Sequence, residues 1–226
     1  MDQREYIRRS NWHGSFYELA MEFHPTGDDA RLLAALQALW SDPAVHGPLE
    51  SPYTWPEQET TLLSIPAVPM PVLEAVAQVG LPQTLDPEGP EHLYGLLTPA
   101  GRPAIGIVCV MVREQGGSDW LDLCCPTGML GYRPELNDYG SYETNLWVDG
   151  IDEVLLRIAA AVYAAAPFDL ALIGEEVSGQ GYAGTVTPMD LARGGYLLPS
   201  DLLQRLQPEV PSVRLSSDLH WFPYAD

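Results

Sequence analysis

Between Asp149 and Ile173 a helical pattern runs directly into a strand pattern, and this pairing restricts the fold more than any other part of the chain. Over 151–166 the apolar residues Val154, Leu155, Ile158 and Val162 recur at helical spacing. Asp152 and Glu153 occupy the first turn, where the helix dipole favours anions, and Asp149 stands where a side chain can cap it. Pro167 stops the helix. Residues 168–173 then form an apolar run broken only by Asp169, the pattern of a central strand covered on both faces. The alanines at 159–161 and 164–166 suit close packing of this helix on a sheet.

The rest of the chain supplies partners for such a unit. In 15–23, Tyr17, Leu19, Met21 and Phe23 alternate with Phe16, Glu18, Ala20 and Glu22, which predicts a strand with one wetter face. A helix follows over 29–41, capped by Asp28 or Asp29, with Leu32, Leu33, Leu36, Leu39 and Trp40 inward and Pro43 beyond its end. Prolines at 43, 48, 52, 56, 66, 69 and 71 exclude long regular elements from that segment, apart from short extended pieces such as 60–65. A helix over 71–79 ends at Gly80. Segment 81–91 is a candidate boundary between two lobes of a single 1–226 domain.

Three runs, 92–98, 104–113 and 120–125, are separated by Pro- and Gly-rich turns and predict an antiparallel meander. Segment 126–143 reads as a loop and 144–148 as a possible short strand. Thr187 can cap a short helix starting at Pro188; a further helix is expected over 199–206 and a last strand over 214–222. The fold class is therefore α+β, with a mixed, largely antiparallel sheet, helices packed on it, and proline-rich loops.

Composition narrows function by exclusion. All 11 basic residues are arginines, so Schiff-base chemistry, lysine-bound pyridoxal phosphate and a P-loop lysine are ruled out. The formal net charge of −20 opposes binding to nucleic acid and to acidic membrane surfaces, and favours a basic or neutral protein partner. No apolar run reaches the roughly 20 residues of a membrane span, and the N-terminal stretch lacks the apolar region of a secretory signal. Three cysteines, Cys109, Cys124 and Cys125, fit free thiols in a reducing compartment, and the expected location is cytoplasmic.

Gly179, Gly181 and Gly184 match G-x-G-x-x-G after a strand, but Pro188 follows where a helix should open and Glu175 and Glu176 would crowd a pyrophosphate. A glycine loop, with no cofactor, is the preferred reading. The five histidines show no H-E-x-x-H and the cysteines no C-x-x-C, so no metal site is expected. Gly116-Gly117-Ser118 lacks the second glycine of a nucleophile elbow and falls in a hairpin.

Two functional expectations follow. The first is a non-catalytic acidic binding module, as an immunity or inhibitor protein is toward a basic toxin, contacting its partner through Tyr53, Trp55, Tyr132, Tyr139 and Tyr142 in the loops. The second is a small-ligand binder or hydrolase-type enzyme at the end of strand 168–173, with Glu175 or Glu176 as base and Trp147 and Tyr182 as walls. A homo-oligomer subunit is a third, structural possibility.

Overall fold

The computed structural model describes residue 12 and residues 14–49, 71–79, 91–101, 104–130 and 148–224. The expectations for 60–65, 81–90 and 131–147 lie outside these. Within the described residues the chain forms strands β1 (Phe16–Phe23), β2 (Val45–His46), β3 (Glu91–Leu97), β4 (Ile105–Arg113), β5 (Asp119–Pro126), β6 (Leu170–Glu175), β7 (Tyr196–Pro199), β8 (Val213–Arg214) and β9 (Leu219–Phe222). Five helices accompany them: α1 (Asp29–Trp40), α2 (Val72–Val79), α3 (Val148–Ala165), α4 (Pro188–Leu191) and α5 (Ser200–Leu206). A short 3-10 turn, Thr127–Leu130, follows β5.

All nine strands join one sheet in the order β2-β3-β4-β5-β1-β6-β7-β9-β8. Every pairing among the described residues is antiparallel. The meander β3-β4-β5 forms as expected, with Gly116 at φ 69° in the turn where an L side chain would be strained. β1 enters the middle of the sheet, between β5 and β6, and is covered on both faces although one of them carries Glu18 and Glu22.

On one face α1 and α3 pack side by side. Leu32, Leu36 and Leu39 of α1 and Ile151, Leu155, Ile158 and Val162 of α3 meet Leu19, Met21, Leu121, Leu123 and Ile173 in a single core. Asp28 caps α1 by accepting from Arg31 N at 3.0 Å. Across the sheet, Ala20, Trp120, Leu170, Leu172, Tyr196, Leu198 and Phe222 form a second core with Leu191 of α4, Leu202 of α5, and Val177 and Val186 from the segment between β6 and α4.

Three details depart from the sequence expectations. Helix α3 begins at Val148, so Asp149 lies inside the helix rather than at its cap, and position 148 is helical rather than the end of a strand. The last strand is two, because Ser216, Ser217 and Asp218 turn the chain between β8 and β9 and Arg214 donates to the carbonyls of Ser216 and Ser217. β7, four residues long, is an unanticipated strand. Thr187 does cap α4: its backbone N–H donates to Asp190 Oδ2 at 2.9 Å, in a capping box.

Candidate functional site

Alternation along β1 sends Glu18, Ala20 and Glu22 to the second face, and register with β5 sets Cys124, Asp122 and Trp120 opposite them. The wetter face expected from the sequence is thus a buried one. Glu18 is 6%, Glu22 3% and Asp122 3% exposed. Asp122 lies across from Ala20, so Glu18 is its diagonal neighbour on β1.

Burying carboxylates requires partners, and these come from more than fifty residues away in the chain. The segment after β6, which carries the three glycines, folds down over the face. Ser178 N donates to Glu18 Oε2 at 3.0 Å, and Ser178 Oγ donates to Asp122 Oδ2 at 2.6 Å. Ala183 N donates to Glu22 Oε2 at 2.6 Å, while Ser118 Oγ donates to Glu22 Oε1 at 2.7 Å. Tyr182 packs edge-on against Trp120, ring centroids 5.4 Å apart, and its hydroxyl donates to Glu114 Oε1 at 3.0 Å. The glycine pattern is therefore a loop, as expected, and what it covers is a set of carboxylates. Gly179, at φ 73°, turns the chain just after Ser178, which stays exposed to solvent on its outer side while its amide and hydroxyl reach the carboxylates.

Two buried polar atoms on this face have no hydrogen-bond partner among the described residues: Asp122 Oδ1 and Trp120 Nε1. Burial pushes the Asp122 carboxyl up to about 7; the Ser178 hydroxyl opposes this and the Glu18 charge adds to it. Glu18 is also raised by burial, against the donors at Ser178 and Val177 and with the charge of Glu176. Cys124 Sγ lies 3.8 Å from Glu18 Oε1, and burial raises its thiol far above the range of a reactive cysteine. All three cysteines are free and buried. The arrangement can hold and release a proton near neutral pH.

The residues singled out from sequence are distributed otherwise. Glu175 pairs with Tyr17, on the helix-covered side of the sheet, and accepts a hydrogen bond from Ser15 Oγ. Glu176 is exposed, at φ 48°. Tyr182 lies on the opposite side, over Trp120. The structure thus does not bring Glu175 and Tyr182 together. Trp147 and the loop aromatics Tyr53, Trp55, Tyr132, Tyr139 and Tyr142 lie outside the described residues. No group of three or more His, Cys, Asp or Glu among the described residues is arranged to hold a metal ion.

Glu18, Glu22 and Asp122 were not anticipated as a site. A signal existed: a lone carboxylate between Trp120 and Cys124 in an apolar strand, and two glutamates on one face of another. Compared with family models, curated proteins and solved structures, the chain matches none of them. No helix among the described residues is long and apolar enough to cross a membrane.

Proposed function

We propose that the protein is a non-catalytic, acidic binding module for a basic protein partner, in the manner of an immunity or inhibitor protein, acting in the cytoplasm without nucleic acid. The observation that carries this reading is that Arg31, Arg113 and Arg157 are held in ion pairs within the fold, leaving Arg193, Arg205 and Arg214 as the exposed arginines outside those pairs among the described residues. Arg31 is bound to Asp169 at 2.9 Å and to the carbonyl of His24. Arg113 chelates buried Asp119 and reaches Asp29 at 2.8 Å, and Arg157 forms a two-point contact with Asp42. These arginines are committed to the fold. Asp28, Glu74, Glu153, Glu176, Asp201, Glu209 and Asp218 stand exposed, in a chain whose net charge is −20. Such a surface attracts a basic partner over a distance of about a Debye length and accelerates encounter.

The test is capture from the native cell at low salt, followed by titration of the purified captured protein across a salt series. A basic protein whose affinity falls steeply with salt supports the reading. A partner that is acidic, or bound with no salt dependence, contradicts it.

A second reading is favoured by one observation, the unpartnered Asp122 Oδ1. A small-ligand or acid–base site would use Asp122 as its titrating carboxyl, with Glu18 beside it, in place of Glu175 or Glu176 at the strand end. Proton transfer to or from a bound ligand at Asp122, lost in Asp122→Asn, is the measurement that separates it from the first.

A further inference from the structure

Segment 176–187 is held to the sheet by polar contacts at Ser178, Tyr182 and Ala183 and by the buried Val177 and Val186. It leaves β6 through Glu176, an L residue held at φ 48°, and turns at Gly179, φ 73°. A non-glycine residue in the left-handed region is held there only while the surrounding contacts hold it. Ser178 alone bridges two carboxylates on neighbouring strands: its backbone N–H goes to Glu18 and its hydroxyl to Asp122. Ser178 is neutral, so it bridges the two carboxyls without cancelling the charge of either, and the further donors to Glu18, Val177 N and Cys124 Sγ, are neutral as well.

We propose that Glu18 and Asp122 form a proton-binding site that latches the 176–187 loop, closed while the pair holds one proton and loosened when it is lost. The inference is independent of the partner reading above. It stands first on the unpartnered Oδ1 of Asp122, a side chain 3% exposed and diagonal to Glu18 on the neighbouring strand, whose other oxygen accepts from Ser178 Oγ. An ionised carboxylate with one oxygen buried and unbonded is costly, and protonation removes the buried charge, one of two adjacent like charges. Loop opening offers the alternative, since it returns both carboxylates to water.

The groups facing the pair from each packed element give the proton no competitor. β1 contributes Glu18 and Glu22, β5 contributes Cys124, and the loop contributes Glu176 and Tyr182, the last bound to Glu114. β4 presents Val108, Val110 and Val112 in register with Cys124, Asp122 and Trp120, and β6 presents Leu170 and Leu172. His92 of β3 lies one strand further, in register with Val110. Desolvation shifts its pKa downward, away from the charged form. Burial pushes Asp122 up to about 7, so the latch weakens between its open-state value, about 4, and about pH 7.

The sign follows from linkage. Asp122 holds its proton more tightly in the closed state than in the open one, so closure is favoured in acid and weakens as pH rises toward its closed-state value. Amide hydrogen exchange tests this on the intact protein, with rates converted to protection factors so that the intrinsic pH dependence is removed. The protection of the Ser178 amide is expected to fall by up to about tenfold per pH unit as pH rises from mildly acidic toward about 7, and to level off above it, by linkage to one proton. The β1 amides stay equally protected throughout. Asp122→Asn, which keeps the shape and removes the charge, holds Ser178 protection constant. Glu18→Gln keeps an acceptor for the Ser178 amide, removes the neighbouring charge, and moves the loss to lower pH; it serves if the Asn variant does not fold. Ser178 protection that is the same at mildly acidic pH and at about pH 7 in the native protein, or that falls equally in Asp122→Asn, overturns the proposal.

Discussion

Asp119 and Asp122 stand three residues apart on β5, face opposite sides of the sheet, and titrate in opposite directions. Burial opposes ionisation of Asp119, but Arg113 Nε at 2.8 Å, Thr26 Oγ1 at 2.6 Å and Gly27 N at 3.0 Å outweigh it and hold its carboxyl below the usual range. Its contribution is present above the unfolded value, about 3.9, and is lost as pH falls through the lower folded value. Asp119→Asn strips a buried ion pair of its charge and is expected to cost about 3 kcal/mol near neutral pH, read from urea unfolding. Asp122 has the reverse sign. Its contribution is complete below the unfolded value and is lost as pH rises toward about 7. The slope for one proton is roughly 1.4 kcal/mol per pH unit. Asp122→Asn is therefore expected to flatten the pH dependence of stability between mildly acidic and neutral pH, and to be more stable than the native chain above neutrality. Equal slopes in the two proteins would show that Asp122 ionises normally.

Among the elements, α1 and β3 make the most direct predictions. Asp28→Ala removes the side chain that accepts from Arg31 N and should cost about 1 kcal/mol in thermal unfolding. Gly95 of β3 lies under the Trp40 ring: a Cβ there would come within 2.5 Å of Trp40 Cζ3 and 2.9 Å of the His46 carbonyl oxygen. The ring cannot simply swing away, because the backbone of β2 is close on the same side. Gly95→Ala is expected to destabilise by about 2 kcal/mol. β1, α1, the meander and most of α3 were legible in the sequence because alternation or a helical stripe runs through each for at least six residues. β7 was not, since four residues between a double glycine and a helix carry too few periods to read. The split between β8 and β9 was hidden for a related reason: the turn at 216–218 interrupts a run whose ends both look extended. At the candidate site the sequence revealed which residues share a face of β1 but not what lies over that face. Glu18 looks wet by type, and only contact with Ser178, 160 positions later, makes it a buried group.

Across the whole molecule, negative charge is distributed in two ways. The exposed carboxylates repel one another, and the arginines at 31, 113 and 157 are tied to partners within the fold instead of balancing them at the surface. Added salt should screen this self-repulsion, so the thermal midpoint is expected to rise from low ionic strength to about 0.15 M, where the Debye length is about 8 Å. A falling midpoint would mean that the ion pairs dominate. The buried carboxylates on the second face are managed differently: donors from the loop answer Glu18, Glu22 and Oδ2 of Asp122, and the proposed proton answers the charge left on Asp122. That assignment is the centre of the account, and it is open to direct observation. Carbon NMR of the side-chain carboxyl of Asp122, followed across pH, should show a titration with its midpoint near 7. A midpoint near the ordinary value of about 4 would contradict it.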